Sequence, residues 1–191
     1  MIMKSNLFFI LLIVFITCSC SKNAGRTVDP YENSPATTIP AELKNSLWFW
    51  GGLGPVSYYD RDGHEVGNET EAAREYEFKE VNGKGRIEFI QYLGLRNASN
   101  CVTEIYTTKK GTIVFEGSDR FTFYPVEGSF KTIKKGCSKD ETTIRAATGD
   151  ELKPEAYLWE IKEFSGEKLL YVYDTTDLLK QNPVFVYQQA W

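Results

Sequence analysis

The stretch TIVFEGSDRFTFY, residues 112–124, holds two short runs around Gly117-Ser118-Asp119. In the first run Ile113 and Phe115 share a face, and in the second Phe121 and Phe123 do. Side chains of a strand alternate with a period of two, so this is the pattern of a hairpin with one buried side. A second hairpin is expected from Glu75–Glu80 and Gly85–Leu93, which flank Asn82-Gly83. That dipeptide tolerates the positive φ of a tight turn.

Working outward, further strands are expected at 47–50, Val102–Thr108, Ser129–Lys135, Tyr157–Glu163, Leu169–Tyr173 and Val184–Gln188. No stretch shows sustained helical periodicity. AELKNSLWFW (41–50) is expected to carry one short helical turn before the first strand, and Thr175–Lys180 another. Many short antiparallel strands joined by polar turns specify an all-β domain, over 41–191. Sequential hairpins favour an antiparallel up-and-down β-barrel of about 8–10 strands; a β-sandwich is the alternative.

The N-terminus is of another kind. Lys4 is the sole charge before the apolar run LFFILLIVFI, residues 7–16. That is about half of the ~20 residues needed to cross a bilayer as a helix. A short apolar run after a lone positive charge reads as a secretory signal. From Ser21 to Pro40 the chain is polar, has three prolines and lacks apolar periodicity, so it is expected to be a flexible tether.

The residues FITCSCSKN (15–23) resemble the lipobox of bacterial lipoproteins, which implies cleavage just before a cysteine that receives a diacylglyceryl group. Cys18 and Cys20 both fit that position, and parity selects between them. An exported chain enters an oxidising compartment in which disulfides persist. Cleavage before Cys20 discards Cys18 with the signal (1–19), lipidates Cys20 and leaves one pair, Cys101 and Cys137. Those two lie 36 positions apart at expected strand boundaries, and we read them as a structural disulfide. A redox pair normally uses closer spacing. The reading implies a palmitate-bearing lipoprotein of the cell envelope, held at the outer membrane.

The segment GTIVFEGSDRFTFYPVEGSFKTIKKGC (111–137) adds a second resemblance. With its G-T-V-V-like, F-T-F-x-P and E-G-x-F strands closed by cysteine, it is similar to lipocalin-like domains of lipoproteins from Bacteroidota. That resemblance implies a calycin-type barrel over most of 41–191 and, by extension, a small ligand held inside it. Asp174-Thr175-Thr176 is similar to the O-glycosylation acceptor of envelope proteins from the same group; a plain turn explains it equally well.

Composition narrows the function classes. The chain has a net charge of −4, which becomes −5 once Lys4 is removed with the signal. A mildly acidic protein lacks the footprint of a nucleic-acid binder. Its one basic cluster, Lys131, Lys134, Lys135 and Lys139, reads as a solvated face. His64 is the single histidine, so His-based metal clusters and Ser-His-Asp arrangements are disfavoured. Asp60, Asp62 and Gly63 are spaced unlike a calcium loop, and Gly51-Gly52-Leu53-Gly54 lacks the helix and Lys-Ser/Thr of a phosphate loop. No catalytic set, cofactor or metal site is expected.

What remains is aromatic. Trp48 and Trp50 share one strand face; Tyr157, Trp159 and Ile161 share another. Such rings either fill the interior of a small barrel or line a pocket for an apolar or sugar ligand. Two classes stay open: a lipid-anchored binding protein with a small apolar ligand, and an accessory lipoprotein that engages a protein or glycan through its surface.

Overall fold

The 112–124 stretch forms the tip of the longest hairpin in a computed structural model, which describes residues 29–51, 70–97 and 99–190. The apolar run, Cys18 and Cys20 lie outside the described residues, as do Asp60, Asp62 and His64. Strand β4 (Val102–Glu116) pairs with β5 (Arg120–Lys135), setting Ile113 against Phe123 and Phe115 against Phe121. Two pairs of strands expected as separate are therefore continuous. What joins them is a β-bulge: Lys110 faces Glu127, but Gly111 faces Pro125, leaving Val126 as the extra residue. Pro125 has no N–H to give to a ladder and is tolerated at such an irregularity. Gly111 is required there, because a Cβ would run into the Tyr124 carbonyl.

Strands β2 (Thr70–Val81) and β3 (Lys84–Arg96) meet across Asn82 and Gly83, whose φ values of 53° and 73° make the expected hairpin turn. The remaining strands are β1 (Ser46–Gly51), β6 (Glu141–Ala146), β7 (Glu155–Phe164), β8 (Glu167–Tyr173) and β9 (Phe185–Gln189). A single 3-10 turn, Gly149–Leu152, precedes β7. All nine strands belong to one antiparallel sheet of order β4-β3-β2-β1-β9-β8-β7-β5-β6, with β4 also paired to β5. Hydrogen bonding thus passes round eight strands and returns to its start. β5 is shared: Arg120–Phe123 pairs with β7, while Ser129–Lys134 pairs with β6. The all-β reading and the strand count hold.

The inner face is set by parity. Trp48 on β1, Tyr76 and Phe78 on β2, Ile87 and Phe89 on β3, and Phe121 and Phe123 on β5 form one buried cluster with residues of β7 to β9. Leu43 and Ile39 close it at the end that carries the 82–83 and 117–119 turns. Residues 29–40, expected as tether, are instead a strap across the sheet. Thr37 N–H donates to the Ile113 carbonyl, and Gly85 N–H donates to the Thr37 carbonyl at 2.7 Å. The Ser34 and Thr112 hydroxyls lie 2.6 Å apart, and Arg86 bonds Asp29 while stacking on the Tyr31 ring. The expected turn after Pro40 is present as Leu43 N–H to Pro40 O and Lys44 N–H to Ala41 O.

Cys101 and Cys137 are disulfide-bonded, with Cα atoms 4.4 Å apart. One residue before β4 and two after β5, they clamp the open end of one long hairpin, rather than spanning two.

Candidate functional site

The four aromatic residues singled out in the sequence all lie on the inner face but divide into two kinds. Trp48 is fully buried. Its indole N–H donates to Ser46 Oγ at 2.7 Å, and that hydroxyl donates to the Leu43 carbonyl at 2.6 Å. Trp159 is also buried and meets the Phe115 ring edge-on. Both are core residues. Trp50 and Tyr157 are only half-buried and pack against that core from one side. Trp50 meets Phe185 in a T-shaped contact with centroids 5.2 Å apart, and Tyr157 packs on Phe121.

Between these two half-buried rings sits a charge. Arg74 of β2 pairs in register with Trp50 and lies two residues before Tyr76, so the pleat turns it inward. Its guanidinium stacks over the Phe185 ring at 4.0 Å and lies 5.5 Å from the Phe89 ring centre. It also bears on the hydroxyls of Tyr157 and Tyr187. Among the described residues no carboxylate stands within ion-pair distance of Arg74. The neighbouring Glu155 carboxylate is taken by Lys109 at 2.6 Å and accepts from Tyr157.

The phenols around Arg74 are kept protonated. Burial pushes the Tyr187 hydroxyl well above its ordinary value, against the opposing pull of Arg74. Burial raises Tyr76 likewise, and raises Tyr157 with help from the Glu155 charge. At neutral pH these side chains are hydrogen-bond donors on an apolar wall. Two buried donors of the core lack a well-formed bond among the described residues: Trp159 Nε1 and the Tyr187 hydroxyl. A buried donor left without a partner is uncommon in folded proteins and calls for an explanation.

Arg74 was missed in the sequence, yet a signal for it existed. Carrying the inward parity of Phe78 and Tyr76 back by two residues lands on Arg74. The basic cluster resolves differently. Lys134 bonds Glu141 at 2.8 Å, Lys135 bonds Glu104 at 3.2 Å and Lys139 lies 3.6 Å from Glu141, so the cluster is largely neutralised from within. On the edge strand β6, the exposed Arg145 lies over Phe130 and is held by Glu151 through two bonds of 2.7 and 2.8 Å. The guanidinium and the Thr148 N–H together hold the Glu151 carboxyl down to about 2.

Two clefts open on other surfaces. One of about 370 Å³ lies under the strap, between Tyr31, Arg86, Lys79 and Lys110 on the outer side of β2–β4. The other, about 490 Å³, lies beside the β7–β8 turn, next to Phe49 and Gln188. Neither is lined by the four sequence-selected aromatics. Among the described residues no three His, Cys, Asp or Glu side chains gather as a metal site, and no helix is long and apolar enough to cross a membrane. No known protein family, curated protein or solved structure matches the chain.

Proposed function

We propose that this protein is a lipid-anchored lipoprotein of the cell envelope, tethered through Cys20, whose ring of strands is a lipocalin-like barrel that binds a small, largely apolar ligand. The observation that carries the reading is the uneven filling of the inner face. At the strapped end Trp48, Phe78, Ile87 and Ile113 are sealed from solvent. Trp50, Tyr157 and Phe185, by contrast, keep one side uncovered while remaining packed on the core. A half-covered aromatic wall with a few polar groups is the make-up of a small-molecule site. The continuous ring of hydrogen bonds favours a barrel over a sandwich, since a barrel leaves no ring strand with an open edge.

A neutral apolar dye such as N-phenyl-1-naphthylamine should brighten on titration with the folded protein, and Trp50→Ala should weaken its binding severalfold. If the dye stays dark with protein whose near-UV circular dichroism is intact, the interior is not a binding site. The surface-partner reading then takes its place, with the 370 Å³ cleft under the strap as the groove to examine.

The anchor has its own test. In cells fed radiolabelled palmitate, Cys20→Ala should abolish labelling and leave an uncleaved or soluble exported form, whereas Cys18→Ala should change little. Label retained in Cys20→Ala but lost in Cys18→Ala would move the cleavage site.

A further inference from the structure

We infer that the ligand is an organic anion, an apolar chain ending in a carboxylate that docks on Arg74. The inference rests on the proposed binding role and adds a chemical class to it. A positive charge removed from water is costly unless it is paired, and proteins rarely leave one uncompensated. Arg74 is turned into the interior, half-buried, with no carboxylate at ion-pair distance among the described residues. Its compensation is partial: the Phe185 face at 4.0 Å and the hydroxyls of Tyr157 and Tyr187. Rings attract a guanidinium through their quadrupole but leave its in-plane N–H groups free for other partners.

Among the described residues, the carboxylate that acts on the same phenol as Arg74 is already committed, because Glu155 is held by Lys109 at 2.6 Å. A second observation points the same way. The Tyr187 hydroxyl is fully buried with Arg74 and Tyr76 facing its oxygen, and among the described residues no acceptor stands in hydrogen-bonding geometry for its own proton. A planar carboxylate placed against the guanidinium would accept two parallel N–H bonds, and its remaining lone pairs would take a phenol O–H. One anionic group thus satisfies both deficits. A neutral alcohol would satisfy the phenol alone, and a cation would be repelled.

The aromatics supply the rest. Trp50 and Phe185 flank the charge on the half-covered side and would lie along the first part of an apolar chain. Trp50 is also close enough to Arg74 to report occupancy through its fluorescence.

Three probes of one chain length separate the possibilities: decanoate, decanol and decyltrimethylammonium, each titrated below its micelle concentration. Decanoate should bind at least tenfold more tightly than decanol, and the ammonium should bind least. Arg74→Met should bring decanoate down to the level of decanol, while Arg74→Lys should keep part of the preference. Should Arg74→Met fail to fold, Tyr187→Phe keeps the charge and removes one donor; it should weaken decanoate and decanol alike and leave decanoate the tighter of the two, and loss of that preference would overturn the inference. Equal binding of decanoate and decanol by the unaltered protein would overturn the inference but leave an apolar binding role standing. Binding of none of the three would overturn that role, and the inference with it.

Discussion

Trp48→Ala should cost about 3–5 kcal/mol of folding stability, a large share of the ~5–15 kcal/mol that holds a typical domain. Three losses combine in that figure. The indole is fully buried, so its removal opens a cavity among Phe78, Leu43 and their neighbours that rigid strands cannot collapse to fill. Its N–H no longer donates to Ser46 Oγ, a hydroxyl that also holds the Leu43 carbonyl. The turn carrying Leu43 therefore loses part of what fixes it at the strapped end. Trp50→Ala should cost distinctly less, because one side of that ring is already uncovered. Urea unfolding of both variants, compared at similar m-values, checks the order. A loss below about 1 kcal/mol for Trp48→Ala would show that the indole is not structural.

Breaking the disulfide should have the next largest effect. Replacing Cys101 and Cys137 together by serine should lower stability by roughly 3–4 kcal/mol, from the loop-closure entropy that the bridge removes from the unfolded chain. The bridge closes the end of a hairpin whose strands run 15 and 16 residues, so the loss should also be local. Amide exchange should accelerate first in Val102–Tyr106 and Lys131–Lys135, far from the tip, and reach Ile113 and Phe121 only with global unfolding. Unchanged exchange in the first two segments would mean that the strand ladder, with the Lys135–Glu104 pair beside the bridge, holds that end unaided.

Where a segment was legible in the sequence, its residues carried a period. The hairpins at 82–83 and 117–119 each combined a turn signal with alternating apolar residues, and both stand where expected. The strand β6, ETTIRA, was not expected, because its one large apolar residue, Ile144, points to solvent. An edge strand paired on one side needs no alternation to form. The strap was misread for a related reason: its contacts are single ones, Tyr31 here, Thr37 there, and a polar run that touches a sheet at intervals looks like a linker. The bulge at Val126 hid the continuity of β5, since an extra residue within a strand breaks the alternation that a period count follows. Arg74 was hidden by expectation alone, because a charge is normally assigned to the solvent side.

The ring also dictates an order of assembly. Its hairpins join neighbours in sequence and need only short loops to form. The seam between β1 and β9 is different: two facing pairs, Trp48 with Gln189 and Phe49 with Gln188, backed by the Ala190 N–H to the Leu47 carbonyl. It joins residues separated by well over a hundred others. Contacts this distant in sequence slow folding, so the seam is the step expected to set the rate. A chain that emerges N-terminus first, from a ribosome or through a pore, carries β1 with one edge unpaired until β9 arrives. During that interval the exposed edge is a template for any other extended chain. Speed of completion, more than final stability, then decides how much of this protein is lost to aggregation.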